Sequence, residues 1–443
     1  MNLSRIALIA SCFVYQSLSA QTLPSWKFDF GPGKTEKGYT QVLPSAKYSD
    51  QTGYGFYGSA PIEGVDRKGA DALRTDYCTS QQPFFFTVKL PEGNYRVKVI
   101  SGDEQGASVT TIKAECRRLM VEKVETQRGR FQTSDFNVHV RDTIIKTTGQ
   151  RVRIKPRERE FLHWDNQLTL EFNNKEPKIC AVEITPASDL TTVFLAGNST
   201  VVDQANEPWA AWGQIIPVFF RSQKIVVANY AESGETLSGF IAERRLEKVF
   251  SSFKAGDYLF IEFAHNDQKQ KGEGIGAFTS YKRDLKNTIR EVKKRGGIPV
   301  LVTSMQRRSF DSTGYIMQTL GDYPEAMRQT AQEEQVALID LNNMSKTMYE
   351  AWGPEKSIKA FVHYPANTFP GQDKELKDNT HFNSYGAYEI ARCIVKGIQS
   401  AVPALAVYLK KDIPAFDPAH PDAVENWQLP PSPFVASRKP DGN

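Results

Sequence analysis

Ser199 follows the apolar run Val193-Phe194-Leu195-Ala196 and a glycine, Gly197. The run reads as a β-strand. Its carboxyl end turns at the glycine and holds an exposed hydroxyl outward, which is where a nucleophile is wanted. A serine needs a base to take its proton, and His381 is the natural candidate. The imidazole needs an orienting counter-charge, and Asp378 lies three positions earlier in Asp378-Asn379-Thr380-His381. A tetrahedral intermediate needs preorganised donors for its oxyanion. The backbone N–H groups of Ser199 and Gly234 and the side-chain amide of Asn266 can supply them. Nothing in this set calls for a metal or an organic cofactor. It fits cleavage of an ester by attack of the hydroxyl.

Each piece also has a blander reading. Gly197-Asn198-Ser199-Thr200 reads equally as a turn whose hydroxyls cap backbone groups, and Asn266-Asp267 as an Asx-turn. Asp-x-x-His ahead of a helix reads as a cap beside a surface histidine. His265 is expected in the core or behind the site. A metal site from His265, His363 and His381 lacks any ligand pair at helical or ribbon spacing. Order and placement outweigh these readings. Ser199, the Asn229–Gly234 stretch, His265-Asn266-Asp267 and Ser304–Arg308 each follow a predicted strand, and Asp378–His381 precedes the final helix. The carboxyl ends of parallel strands share one edge.

The elements that must position these residues are legible from Thr191 onward. Continuous apolar runs at about 225–230, 257–263, 298–303 and 336–340 alternate with helical patterns at about 237–250, 280–295 and 323–334. A long apolar helical pattern covers about Trp209–Phe220, and the last helix spans about 384–401, with one apolar stripe. Strands covered on both faces read this way, so the prediction is a three-layer α/β/α domain with about five parallel strands, flavodoxin-like. From Trp26 to about Pro186 short alternating strands and turn signals predict an all-β sandwich. Its aromatic opening, Phe28-Asp29-Phe30-Gly31-Pro32-Gly33, reads as core and turns, with a sugar-stacking face as the alternative. The charged run Arg151–Glu160 (RVRIKPRERE) reads as a solvated edge or loop.

The chain has 443 residues, 40% apolar and 24% charged, with net charge +4, which suits two or three folded domains. No Lys/Arg block suggests a nucleic-acid partner. Arg5, the short apolar run Ile6–Val14 and the small residues to Ala20 predict a cleaved export signal, too short to span a membrane. A lipoprotein box ending at Cys12 is the rival. Export places the chain in the periplasm or outside the cell, where disulfides form. Cys78, Cys116, Cys180 and Cys393 are scattered, and one bridge in the N-terminal half is compatible with their spacing. The expected division is 1–20 signal, 21–188 β-sandwich, 189–402 hydrolase and 403–443 irregular tail.

The blocks around Ser199, Gly234, Asn266 and Asp378-Asn379-Thr380-His381-Phe382 resemble those of the SGNH (GDSL-type) hydrolases. Among these the chain is most similar to rhamnogalacturonan acetylesterase-like members, carbohydrate esterase family 12. The N-terminal part resembles the galactose-binding-like sandwich of some bacterial members. The resemblance implies Ser199 as nucleophile, Asp378 and His381 as the rest of a triad, and Gly234 and Asn266 in the oxyanion hole. It implies removal of acetyl groups from a polysaccharide, pectic rhamnogalacturonan or xylan. Asn198 departs from the usual Gly-Asp-Ser, keeping a carbonyl acceptor but losing a charge, and Ala264 replaces a frequent glycine. Lys269, Lys271, Arg307 and Arg308 near the catalytic edge are candidates to attract an acidic polymer, and His363 to line a rim. Two other readings are a non-catalytic glycan-binding protein and a lipase or thioesterase. The latter needs a long apolar channel, and no apolar run beside the blocks provides one.

Overall fold

The computed structural model describes residues 25–436 and 439–441. The expected export signal, with Cys12, lies outside them. The N-terminal domain packs a seven-stranded sheet on a five-stranded one. Its longest strands, Gly93–Asp103 and Arg130–Val140, pair antiparallel along their whole length. Phe28 and Phe30 from one sheet meet Phe86 from the other edge-on, at 5.0 and 4.8 Å between ring centroids. The aromatic opening is therefore core, because large rings bury most area where two sheets face.

After Ala187–Leu190 the period changes. Strands Thr191–Gly197, Ile225–Asn229, Tyr258–Glu262, Ile298–Val302 and Ala337–Ile339 form a wholly parallel sheet. In space Ile225–Asn229 is at one edge, Thr191–Gly197 is next to it, and the other three follow in chain order. Both faces are apolar and covered, one by the final helix Ser384–Ala401, the other by Lys282–Lys294 and Tyr323–Glu334. The reversal of direction beside Thr191–Gly197 opens a crevice at the carboxyl ends.

Four sequence readings need correction. The pattern at 209–220 gives only one α-turn, Trp212–Ile215, and a 3₁₀ turn, Ile216–Phe219. Pro217 lacks an N–H and crowds the residue before it, so the helix cannot continue. The pattern at 237–250 splits at Arg244, whose φ is 66°. A helix over Leu341–Lys356 went unread, its signal blurred by Gly353-Pro354. Asp378–His381, read only as a block preceding the final helix, lies within the strand Leu376–Phe382, paired antiparallel with Phe361–Tyr364.

Cys78, Cys116, Cys180 and Cys393 are all buried and unpaired. No helix among the described residues is long and apolar enough to cross a membrane. The chain after Ala406 is mostly irregular yet fastened. Ser432 is buried between the two domains, its N–H donating to Glu207 Oε1 at 2.9 Å and its hydroxyl to Glu171 Oε2 at 2.7 Å.

Candidate active site

Gly197 lets the chain leave its strand in a tight turn. A β-carbon there would stand 2.5 Å from Val201 Cγ2 and 3.0 Å from the Glu262 carbonyl oxygen. Asn198 Oδ1 then accepts from the N–H of Thr200 at 3.1 Å and from its hydroxyl at 2.9 Å. The asparagine carbonyl thus does what a short acceptor at this position must do.

This turn carries Ser199 to His381. Ser199 Oγ is 2.7 Å from His381 Nε2, and His381 Nδ1 is 2.7 Å from Asp378 Oδ2. The carboxylate holds the Nδ1 proton, which leaves the Nε2 lone pair toward the hydroxyl. The backbone N–H groups of Thr380 and His381 donate to Asp378 Oδ1 at 2.9 and 3.0 Å, and the Trp209 indole donates to Oδ2 at 3.3 Å. Burial alone would raise the Asp378 carboxyl. The His381 hydrogen bond and charge, with the two backbone donors, outweigh it and hold Asp378 well below the usual carboxylate range.

Ser199 is 1% exposed, where the sequence reading has an exposed hydroxyl. The following loop folds back over it, and Gln204 Nε2 donates to the Ser199 carbonyl at 2.7 Å. The tail adds a second cover. Lys439 Nζ is 3.3 Å from Asp378 Oδ1, and a β-carbon at Gly234 would stand 3.1 Å from Asp441 Cβ.

Gly234 has φ 80°, a conformation that suits glycine. Among the described residues, the N–H groups of Ser199 and Gly234 meet no protein acceptor. Asn266 Nδ2 donates to the Glu235 carbonyl at 2.9 Å, which orients the amide and leaves its second hydrogen. Asp267, pushed up to about 7 by burial, accepts from the N–H of Leu237 at 2.8 Å and ties the two loops together.

The surrounding cations divide. Arg308 donates to Ser357 Oγ at 2.9 Å, to Asn379 Oδ1 at 3.1 Å and to the Pro354 carbonyl. His363 Nε2 lies 2.8 Å from the same Asn379 oxygen. These two residues fasten the ribbon that carries Asp378. Arg307 donates to the His265 carbonyl at 3.2 Å. His265 itself is fully buried. Burial, then the charges of Arg307 and Lys439, lower the Lys269 ammonium, so three cations converge here.

Sequence reasoning missed the residues that the β-domain contributes. Arg118 donates to Asp203 Oδ2 at 3.0 Å (Nε) and 2.8 Å (Nη2), and Arg117 pairs with Glu207 at 2.5 Å, so both brace the loop after Ser199. The charged run Arg151–Glu160 is not a solvated edge. Arg157 Nη2 donates to Glu232 Oε1 at 2.7 Å and to the Ser233 carbonyl at 2.9 Å. Lys155 pairs with Glu235 at 2.6 Å, and buried Glu158 with Arg245 at 2.5 Å. The run is charged because it docks on the charged stretch Glu232–Glu235, a reason that needs both partners in view. Burial and the nearby Glu158 push Glu232 up to about 8, despite the opposing arginines.

Residues 195–388 match the GDSL-like Lipase/Acylhydrolase family. Residues 26–150 match the Beta-agarase/YXIM esterase-like, galactose-binding domain-like family. Over 210 residues the chain is 42% identical to rhamnogalacturonan acetylesterase RhgT of Bacillus subtilis (strain 168), covering 47% of this chain and 89% of that protein. It is 34% identical over 212 residues to the probable rhamnogalacturonan acetylesterase YesY of the same organism, covering 47% and 92%. The match to the uncharacterized esterase YxiM, also from that organism, is 27% identical over 403 residues and covers 89% of this chain and 96% of that one. The chain therefore belongs to the GDSL-like Lipase/Acylhydrolase family, as a carboxylic ester hydrolase with a galactose-binding-like domain at its N-terminal side.

Proposed function

We propose that this protein removes O-acetyl groups from a polysaccharide, with acetylated pectic rhamnogalacturonan as substrate, through an acetyl-enzyme on Ser199. The observation that carries the reading is the pair of 2.7 Å contacts joining Ser199, His381 and Asp378. Ser199 Oγ attacks the acetyl carbonyl carbon while its proton passes to His381 Nε2. The carbonyl oxygen takes the negative charge and rests on the N–H groups of Ser199 and Gly234 and the Asn266 amide. Collapse expels the sugar oxygen, which leaves with the proton from His381. Water then adds to the acetyl-enzyme by the same route and releases acetate. The names of the RhgT and YesY relatives support the substrate. The N-terminal Arg5–Ala20 pattern supports export.

The test is acetate release from acetylated rhamnogalacturonan and acetylated xylan by the wild type and by Ser199→Ala. Release expected from the pectic polymer should vanish in the variant, a loss of about four orders of magnitude or more. Equal release by Ser199→Ala refutes the nucleophile. Faster release from xylan refutes the substrate.

A further inference from the structure

We propose that Arg157 of the β-domain anchors the carboxylate of a uronate sugar beside Ser199, and that Asp441 of the chain's own tail occupies this subsite in the free protein. The inference rests on the esterase reading above, because it takes the adjoining cavity as the place of the substrate.

That cavity, about 510 Å³, lies between the two domains and is lined by Arg157 and Phe161, by Asn206 and Trp209 from the loop after Ser199, by Ser233, and by Asp441. Arg157 is oriented from behind, with Nη2 held by Glu232 and by the Ser233 carbonyl. Its Nη1 turns to the cavity and already holds a carboxylate, that of Asp441. A guanidinium held on one side and offering its other nitrogen is suited to a planar carboxylate. Phe161 offers an apolar face to a sugar ring.

The position relative to the reaction follows from the backbone. Arg157 holds the Ser233 carbonyl, and Gly234, the candidate oxyanion donor, is the next residue. Asp441 Cβ is the atom that a β-carbon on Gly234 would meet first. A carboxylate on Arg157 is therefore close to the place of the acetyl group. Asp441 is the weaker occupant. The chain is pinned as far as Ala436, whose N–H donates to the Glu207 carbonyl at 3.0 Å. Beyond it, Asp441 pairs with Arg157 through side chains that are 52% and 33% exposed. Ion pairs this exposed contribute little and yield to a competing carboxylate.

The experiment compares kcat/KM on an acetylated galacturonate-containing oligosaccharide with that on an acetylated xylo-oligosaccharide. Arg157→Ala should lower the acidic-to-neutral ratio about tenfold, the effect of one charge-assisted pair. Asp441→Ala should lower KM for the acidic substrate about threefold or more and leave the neutral one within about twofold, as expected on removing an exposed competing ion pair. Equal changes on both substrates in either variant overturn the proposal, since a purely structural role for Arg157 does not discriminate by charge. Binding of unacetylated tetragalacturonate to Ser199→Ala, measured by calorimetry, separates the subsite from the chemistry. It should weaken about tenfold in Ser199→Ala/Arg157→Ala. Unaltered binding there rejects the subsite even if acetate release is confirmed. Intact binding by a wild type that cleaves no acetate rejects the esterase reading alone.

Discussion

Asn198 stands in the turn where the family's first block usually has an aspartate, and its surroundings give a physical reason. Thr200 Oγ1 lies 2.9 Å from Asn198 Oδ1 and 3.1 Å from Glu262 Oε1. Glu262 is fully buried, and desolvation pushes it up to about 7 although Trp212, Thr200 and Ser304 donate to it. An aspartate at 198 would put a second carboxylate across one hydroxyl from it. The native Glu262 keeps its proton above the pH at which the unfolded chain loses it, so stability falls as pH rises from about 4.5 to about 7. Asn198→Asp should extend that loss upward, by about 1 kcal/mol at pH 9 relative to pH 6. Urea unfolding at the two pH values checks this, and a pH-independent difference contradicts it. Asp378 behaves oppositely. Held below the usual range, it stays ionised through mild acid, and its stabilising effect is lost progressively as pH falls from the ordinary carboxylate range through that low value. Loss of activity on mild acidification should therefore involve no proton on Asp378 and follow a limiting slope of one. A limiting slope of two in log kcat/KM against pH would show that the carboxylate titrates as well.

At the scale of elements, the loop Thr200–Pro208 is fastened from the other domain by Arg117 and by Arg118 at the head of the strand Arg118–Thr126. Arg118 and Asp203 are both fully buried and face each other. Asp203→Asn should cost about 3–5 kcal/mol, because it leaves the Arg118 charge uncompensated in the interior. Denaturant midpoints at constant m-value would measure it, and a loss under about 1 kcal/mol would mean that water reaches the arginine. What was legible in the sequence follows the same division. The parallel strands and the final helix announce themselves, because one element's apolar pattern is enough to read them. Ser199, Gly234 and Asn266 could be brought to one edge because the ends of parallel strands share an edge, whereas Asp378 and His381 were legible as residue types in one short block but not as part of a separate antiparallel ribbon. Trp209, Arg118 and Arg157 could not be placed, since their partners Asp378, Asp203 and Glu232 are far away in sequence and no local period links them.

The whole molecule is joined through shared cores. Leu119 of the β-domain lies in one apolar layer against the parallel sheet, and Val152 and Trp164 lie in the other. The tail crosses back, with Lys113 Nζ donating to the Pro430 carbonyl and the Phe434 ring packed at a tilt on Phe85, 5.3 Å between centroids. The two domains should therefore unfold in one calorimetric transition, with two resolved transitions as the contrary result.

The four buried cysteines carry this cooperativity into a chemical signal. Burial raises every one of these thiols above its ordinary range, and only a thiolate attacks a disulfide reagent. Three of them, Cys78, Cys116 and Cys180, sit in the first domain and Cys393 in the second. Labelling of all four should then proceed at a single rate, that of global opening, so that the native protein behaves as a clock with its reporters spread across both domains.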